Sequence, residues 1–183
     1  AIWAGLACFF IFGILDCADG NMARTVRSGS PWGEWVDAIC GYVAYVAILL
    51  GGGCAAEAQC PGALPGLDGV ALPWAGGWAL VGGLAASANV YMRLIYQGFK
   101  AVSPARGAEA VSAEKGLSET IGITGALVPA FAVSYAAGGL GWAVLAYAIV
   151  YGGGALLVTL KLARRAAAEA RGLGKERAGE AER

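Results

Sequence analysis

The sequence contains no histidine among its 183 residues, and it has few charged side chains. The absence of imidazole excludes the commonest general base at neutral pH and a frequent metal ligand, so carboxylates are the main remaining groups for both tasks. Charged residues form 14% of the chain, well below the roughly 25% of an average soluble domain. The 13 basic and 13 acidic residues balance, which excludes the net positive field that is typical of nucleic-acid binding proteins.

Hydrophobic residues form 58% of the chain, and they occur in long runs separated by short polar segments. A helix needs about 20 apolar residues to cross a bilayer. Five stretches reach or approach this length, so the sequence predicts an all-α, polytopic transmembrane helical bundle with five helices. We expect these helices at about residues 1–17, 34–51, 76–97, 118–137 and 140–161.

The basic residues all lie at alternate ends of the predicted helices. Apart from Arg93, they fall in residues 18–33, in residues 98–117 and in the segment from Lys161 onward. Because cytoplasmic loops are enriched in Lys and Arg, this asymmetry predicts that the basic side faces the cytoplasm.

This orientation predicts an integral protein of a bacterial-type inner membrane, with residues 18–33 at the cytoplasmic face. We expect a transmembrane domain at residues 1–163 and a charged cytoplasmic tail at residues 164–183.

Residues 52–75 are predicted to form an external loop, because Pro and Gly are frequent there. Cys54 and Cys60 fall in this loop, in an oxidising space, so a disulfide and two free thiols both remain open. Five tryptophans near the predicted helix ends are interpreted as residues of the aromatic belts at the membrane interfaces. They are Trp32, Trp35, Trp74, Trp78 and Trp142.

Acidic residues interrupt the apolar sequence between the first two predicted helices, in the stretch DCADGNMARTVRSGSPWGEWVDAICG that begins at Asp16. Residues three or four apart share one face of a helix, so Asp16, Asp19 and Arg24 are close to a single stripe. The segment RSGSP predicts a turn, because Gly, Ser and Pro favour turns. A helical hairpin with this turn would bring Asp37 opposite the first two aspartates.

Three carboxylates that face one point repel each other strongly, and a divalent cation removes this repulsion. Sites made only of oxygen ligands suit Mg²⁺ or Mn²⁺. Gly20 and Ala23 would leave room beside the ion for a large ligand, and Arg24 is suited to bind a phosphate. The residues therefore predict a metal–diphosphate site, with the three aspartates as the metal ligands.

The spacing D-x2-D-G-x2-A-R-x8-G-x3-D resembles the motif of the CDP-alcohol phosphatidyltransferase family. Seven positions match in residue type and spacing: Asp16, Asp19, Gly20, Ala23, Arg24, Gly33 and Asp37. The family motif continues to a fourth aspartate, where this chain has Gly41. The resemblance implies six helices with the motif across the second and third, so we expect the first of them upstream of Ala1.

The resemblance implies transfer of a phosphatidyl group from a CDP-linked donor, such as CDP-diacylglycerol, to an alcohol acceptor with release of CMP, in phospholipid biosynthesis. It also implies a Mg²⁺ or Mn²⁺ cofactor on the three aspartates, and it suggests a homodimer. The residues implied to bind substrate are Gly20, Ala23, Arg24 and Gly33.

In the family the fourth aspartate helps to hold a second metal ion and acts as the general base. With Gly41 in its place, the candidates for the base are Glu34, a water molecule and a phosphate of the substrate. An acidic residue at the start of a helix also interacts favourably with the helix dipole, so Glu34 has a structural explanation that needs no catalytic role.

Gly41 supports an alternative function, a weak or inactive relative that binds metal and a CDP-linked ligand. A cation-coupled membrane transporter would also use an acidic cluster inside the membrane, and a prenyltransferase-like enzyme would place Asp-rich helix ends around Mg²⁺. The acceptor alcohol is not identified by the sequence.

Several polar residues of the third and fourth predicted helices are candidates for an acceptor pocket. Hydrogen bonds between helices explain such residues equally well, and Arg93 is explained by extension of its side chain to the interface. The candidates are Asn89, Tyr91, Arg93, Glu119, Thr120 and Thr124.

Overall fold

The computed structural model describes residues 2–26, 30–65, 76–102 and 122–181. Within these ranges the chain forms five α-helices and no strand, which confirms the predicted all-α bundle. The helices are α1 (Ile2–Val26), α2 (Pro31–Gln59), α3 (Gly77–Val102), α4 (Val128–Ala136) and α5 (Leu140–Ala181). A π-helical segment, Ile123–Leu127, leads directly into α4.

Four of the described helices are long and apolar enough to cross a membrane, which indicates an integral membrane protein. The candidate spans are Ile2–Met22, Trp35–Gln59, Gly77–Ile95 and Leu140–Arg165. The predicted helix at residues 118–137 differs, because its apolar helical part in the described chain is only Gly125–Ala136. Residues 118–121 lie outside the described residues, and the backbone leaves helical geometry at Gly125.

The second helix begins at Pro31, a few residues before the predicted start. The Gly33 N–H donates to the Ser30 Oγ at 3.0 Å, which satisfies one of the free amides of the first helical turn. Pro31 occupies the first helical position, where its missing N–H costs no hydrogen bond. This start places Asp37 in the second turn of α2.

The second helix also continues to Gln59, so the predicted end at residue 51 is wrong. Cys54 is therefore helical and Cys60 follows the last helical residue, and both are free thiols. The physical reason is the Gly51–Gly53 run, which acts here as a helix-packing segment instead of a loop.

Antiparallel helices α2 and α3 cross at two glycines, Gly53 and Gly82. A Cβ atom on Gly53 would lie 2.5 Å from the Trp78 carbonyl oxygen, and one on Gly82 would lie 2.5 Å from the Leu49 carbonyl oxygen. Small residues at such crossings let two backbones approach closely.

Helix α5 packs on the same pair of helices, α2 and α3. Helix α1, in contrast, contacts the π-helical segment and α4 more than it contacts α2.

Hydrogen bonds from the C-terminal end of α2 connect this helix to the start of α3. The Glu57 carboxylate accepts the Trp78 N–H at 2.6 Å and the Gly62 N–H at 2.9 Å. Trp78 is fully buried, and its Nε1 donates to the Ala63 carbonyl at 2.9 Å. Its interpretation as a belt residue is therefore wrong, because the chain itself satisfies its indole N–H.

Two of the other predicted belt residues, Trp32 and Trp35, are exposed at the start of α2 and stack on each other with ring centroids 4.9 Å apart. Trp74 lies outside the described residues.

Candidate active site

Two of the three predicted acids meet between α1 and α2. The carboxyl groups of Asp16 and Asp37 lie close enough for their charges to interact, and the charge of Asp19 also acts on Asp16. Asp16 and Asp19 are three residues apart in α1, so both project toward the same side of that helix. The structure thus brings the acid of the second helix to the acids of the first.

The pair formed by Asp16 and Asp37 has the donor chemistry of a divalent cation site. Two carboxylates that lie close together repel each other, and their oxygens are the ligand type that Mg²⁺ prefers. In the described part of the chain, no group of three or more His, Cys, Asp or Glu side chains is close enough to form a metal site. Participation of Asp19 as a third ligand stays a prediction.

The predicted substrate-binding residues are only partly described. The side chains of Ala23, Arg24 and Glu34 lie outside the described part of the structure, although the backbone of each is helical. Gly20 is half-buried in α1. Gly33 belongs to the cap of α2, and a Cβ there would lie 3.2 Å from the Ser30 Oγ.

Gly41 leaves open space on the face of α2 that carries the acid. Asp37, Gly41 and Tyr45 follow one another at intervals of four residues, so they lie along one side of the helix. In the described part of the chain, no heavy atom outside the neighbouring backbone of α2 lies within 4 Å of the position that a Cβ of Gly41 would take. The site therefore has room between Asp37 and Tyr45, at the position of the family's fourth aspartate.

Arg93 of α3 reaches toward this face from the opposite helix. Its guanidinium carbon lies 4.3 Å from the centroid of the Tyr45 ring and 5.9 Å from that of Tyr42, and its charge acts on Asp16. A cation over an aromatic face is attracted by the ring quadrupole. Arg93 is therefore directed into the bundle, and the explanation by extension to the membrane interface is wrong.

Buried polar atoms without a hydrogen bond concentrate around Arg93. Asn89 is one turn before Arg93 in α3 and only 1% exposed, and Tyr151 of α5 is 4% exposed. The Tyr45 and Tyr151 rings meet edge to face at 6.2 Å. Among the described residues the buried side-chain atoms without a partner are Tyr42 Oη, Asn89 Oδ1, Arg93 Nε and Tyr151 Oη.

The sequence analysis named Asn89 and Arg93 as candidates but did not name Tyr42, Tyr45 or Tyr151. The sequence does contain a signal for Tyr45, because it follows Asp37 by eight residues and therefore lies on the same helix face.

The other candidates for the acceptor pocket do not join this cluster in the described structure. Tyr91 is exposed, and its hydroxyl accepts a hydrogen bond from the Thr159 hydroxyl at 3.3 Å. Glu119, Thr120 and the Thr124 side chain lie outside the described residues.

Comparison with protein families gives a match that includes the acid pair. The family model CDP-alcohol phosphatidyltransferase matches residues 1–149, which is more than three quarters of the chain and includes both Asp16 and Asp37. The chain belongs to the CDP-alcohol phosphatidyltransferase family. Searches of curated proteins and of solved structures found no match.

Membership in the CDP-alcohol phosphatidyltransferase family implies a CDP-linked donor and an alcohol acceptor. It makes the chain a transferase of this kind, and the family is generally dependent on a divalent metal. The carboxylate pair fits such an ion, since it supplies hard oxygen ligands from two neighbouring helices.

Proposed function

We propose that the protein transfers a phosphatidyl group from a CDP-linked lipid donor, such as CDP-diacylglycerol, to an alcohol acceptor and releases CMP in phospholipid biosynthesis. The observation that carries this proposal is that Asp16 of α1 and Asp37 of α2 lie close enough for their charges to interact. These two residues occupy family motif positions on different helices, within the matched region.

The donor diphosphate is proposed to lie at the acid pair. Asp16 and Asp37 would hold a divalent cation, Mg²⁺ or Mn²⁺, with Asp19 as a further ligand. When bound, such an ion neutralises the diphosphate and favours departure of CMP. Arg24 would contribute a guanidinium for a phosphate oxygen, for which its planar set of donors is suited.

The proposed transfer forms one phosphorus–oxygen bond and breaks another. The acceptor hydroxyl oxygen attacks the phosphorus that carries the diacylglycerol, and the bond from that phosphorus to the bridging oxygen of CMP breaks. CMP leaves with the electron pair, and the hydroxyl proton passes to a base. Glu34, one turn before Asp37, is retained as the proposed base.

We place the proposed site at the cytoplasmic face of a bacterial-type inner membrane. The support is the positive-inside asymmetry of the sequence. Asp16 lies near the end of the span Ile2–Met22 and Asp37 near the start of the span Trp35–Gln59, next to the basic residues of the first loop.

The direct test is CMP release by the purified protein in detergent or vesicles. CDP-diacylglycerol would be the donor, with glycerol phosphate, inositol phosphate and serine as acceptors, in Mg²⁺ and in excess chelator. We expect metal-dependent release, reduced at least about 100-fold in Asp16→Asn and Asp37→Asn, because each removes a charged metal ligand. Glu176→Gln, far from the motif in sequence, is the control and should retain activity.

Gly41 favours a second candidate, a relative that binds metal and CDP-linked ligand without efficient transfer. Gly41→Asp would restore the family's fourth acid, and the open space at this position accommodates the new side chain. Turnover by Gly41→Asp, together with none by the unchanged protein, would establish this second candidate. Absence of metal-dependent cytidine-nucleotide binding in both proteins would exclude both candidates.

A further inference from the structure

Four buried polar atoms around Arg93 have no hydrogen-bond partner among the residues that the structure describes. Buried polar groups in proteins almost always have a hydrogen-bond partner, and each exception calls for an explanation. In the described part of this chain, three of the four exceptions are linked through Arg93, whose guanidinium lies near the Tyr42 ring and over the Tyr45 ring, which in turn meets the Tyr151 ring. The fourth, Asn89, precedes Arg93 by one turn of α3. Two of the side chains, Asn89 and Tyr151, are more than nine-tenths buried.

We propose that Arg93, with Tyr42 and Tyr151, binds an anionic group on the acceptor alcohol, that Asn89 accepts a hydrogen bond from a hydroxyl of that acceptor, and that Arg93 selects against cationic acceptors. This inference rests on the proposed function, since it assigns the acceptor class of that same site.

The donors of the cluster match a phosphate or a carboxylate. A guanidinium presents N–H groups in a planar fork that suits both anions, and the Nε of Arg93 is buried without a hydrogen bond. The hydroxyls of Tyr42 and Tyr151 can each donate one further bond to an anion oxygen. The Asn89 side chain can accept a hydrogen bond from a hydroxyl of the same acceptor.

The aromatic rings of the cluster are already occupied by a cation. Quaternary ammonium ligands are typically recognised by the faces of several aromatic side chains. Here the Arg93 guanidinium lies over the ring of Tyr45 at 4.3 Å and near that of Tyr42 at 5.9 Å. A choline-like acceptor needs an aromatic face that no other cation covers, but here it would meet the Arg93 guanidinium. Arg93 therefore attracts anionic acceptors and excludes quaternary ammonium acceptors.

Gly41 provides the route from this cluster to the acid pair. It lies between Asp37 and Tyr45 on one side of α2, about 6 Å along the helix axis from each. None of the residues that the structure describes fills the space beside Gly41. An acceptor whose anionic group binds Arg93 can therefore extend its reactive hydroxyl over Gly41 toward a diphosphate held at Asp37.

Binding measured without turnover tests this inference separately from the proposed function. Binding of inorganic phosphate, acetate and choline to the full chain in detergent would be measured by titration calorimetry, with chelator present to remove divalent ions. We expect inorganic phosphate or acetate to bind and choline not to bind, and Arg93→Met to weaken anion binding at least tenfold. The two anions distinguish a phosphate-bearing from a carboxylate-bearing acceptor. Arg164→Gln, which removes an exposed charge of α5, is the control and should bind as the unchanged protein does.

A donor diphosphate is the other anion that Arg93 could bind, and CDP distinguishes the two. Phosphate binding that persists with saturating CDP and Mg²⁺ supports an acceptor subsite, whereas loss of phosphate binding under these conditions overturns it. Tyr151→Phe removes only a hydroxyl, and we expect it to weaken anion binding a few-fold even if Arg93→Met fails to fold. Binding of choline, or unchanged anion affinity in Tyr151→Phe and Arg93→Lys, would also overturn the inference.

Discussion

Replacement of Gly82 by alanine tests whether the crossing of α2 and α3 sets the geometry of the site. A Cβ at this position would lie 2.5 Å from the Leu49 carbonyl oxygen and 2.9 Å from the Gly53 Cα, and both atoms belong to the backbone. An ordinary contact begins near 3.4 Å, so the helices must separate by about 0.9 Å (3.4 minus 2.5). Arg93 follows Gly82 by eleven residues, or three turns, on the same side of α3. The separation therefore moves Arg93 away from Tyr45.

The expected energy follows from two opposing effects. Insertion of an extra carbon into a packed interface costs about 1–3 kcal/mol. Alanine is about 1 kcal/mol more favourable than glycine inside a helix. Because both atoms that the new Cβ meets belong to the backbone, the packing cost lies in the upper part of its range, at about 2–3 kcal/mol. We therefore expect Gly82→Ala to lower the free energy of unfolding by about 1–2 kcal/mol, and Tm by about 2–8 °C for a chain of this size.

Gly83 provides a matched control one residue later. A Cβ on Gly83 would meet only the Leu50 Cδ1, at an ordinary 3.8 Å. Thermal unfolding in one detergent, followed by tryptophan fluorescence, should therefore show Gly83→Ala at or above the Tm of the unchanged protein and Gly82→Ala below it. Anion binding should weaken in Gly82→Ala alone. Equal Tm values and equal anion affinities for the two variants would refute the close crossing as the determinant of this site.

Two further predictions concern hydrogen bonds that place α2 and α3. Glu57→Ala removes the carboxylate that accepts hydrogen bonds from the N–H groups of Trp78 and Gly62. We expect this variant to lower the free energy of unfolding by about 2–4 kcal/mol, and Glu57→Gln to lower it by about half as much. Denaturant unfolding followed by tryptophan fluorescence measures this, and similar midpoints for all three proteins would contradict it. Ser30→Ala removes the cap of α2, with an expected loss of about 1 kcal/mol and faster hydrogen exchange at the Gly33 amide. Unchanged exchange there would show that the cap does not hold the start of the helix.

The sequence predicted the all-α fold class and the proximity of Asp16 and Asp37. Long apolar runs leave few alternatives to transmembrane helices, because backbone groups in lipid must bond within their own segment. The motif spacing placed Asp16 and Asp37 on facing helix ends. It did not place Arg93, since an arginine near a helix end is compatible with both the interface and the bundle interior.

The helix ends were less predictable than the helices themselves. The Gly51–Gly53 run is typical of a loop in water, yet it continues α2 because Gly53 packs against Gly82 of another helix. Trp78 illustrates the same difficulty, since its burial depends on a carbonyl of Ala63 that lies fifteen residues away in sequence.

The amino-acid sequence by itself determined that this chain is an apolar helical bundle with an acidic motif at the junction of its first two helices. Composition and spacing are local properties, and they suffice for both conclusions. Only the tertiary structure decided that Arg93 of α3 lies over Tyr45 of α2 and that the Tyr45 ring meets the ring of Tyr151 of α5. The physical reason is that these groups come from three helices, whose relative rotation and approach depend on side-chain packing and on the close glycine crossing.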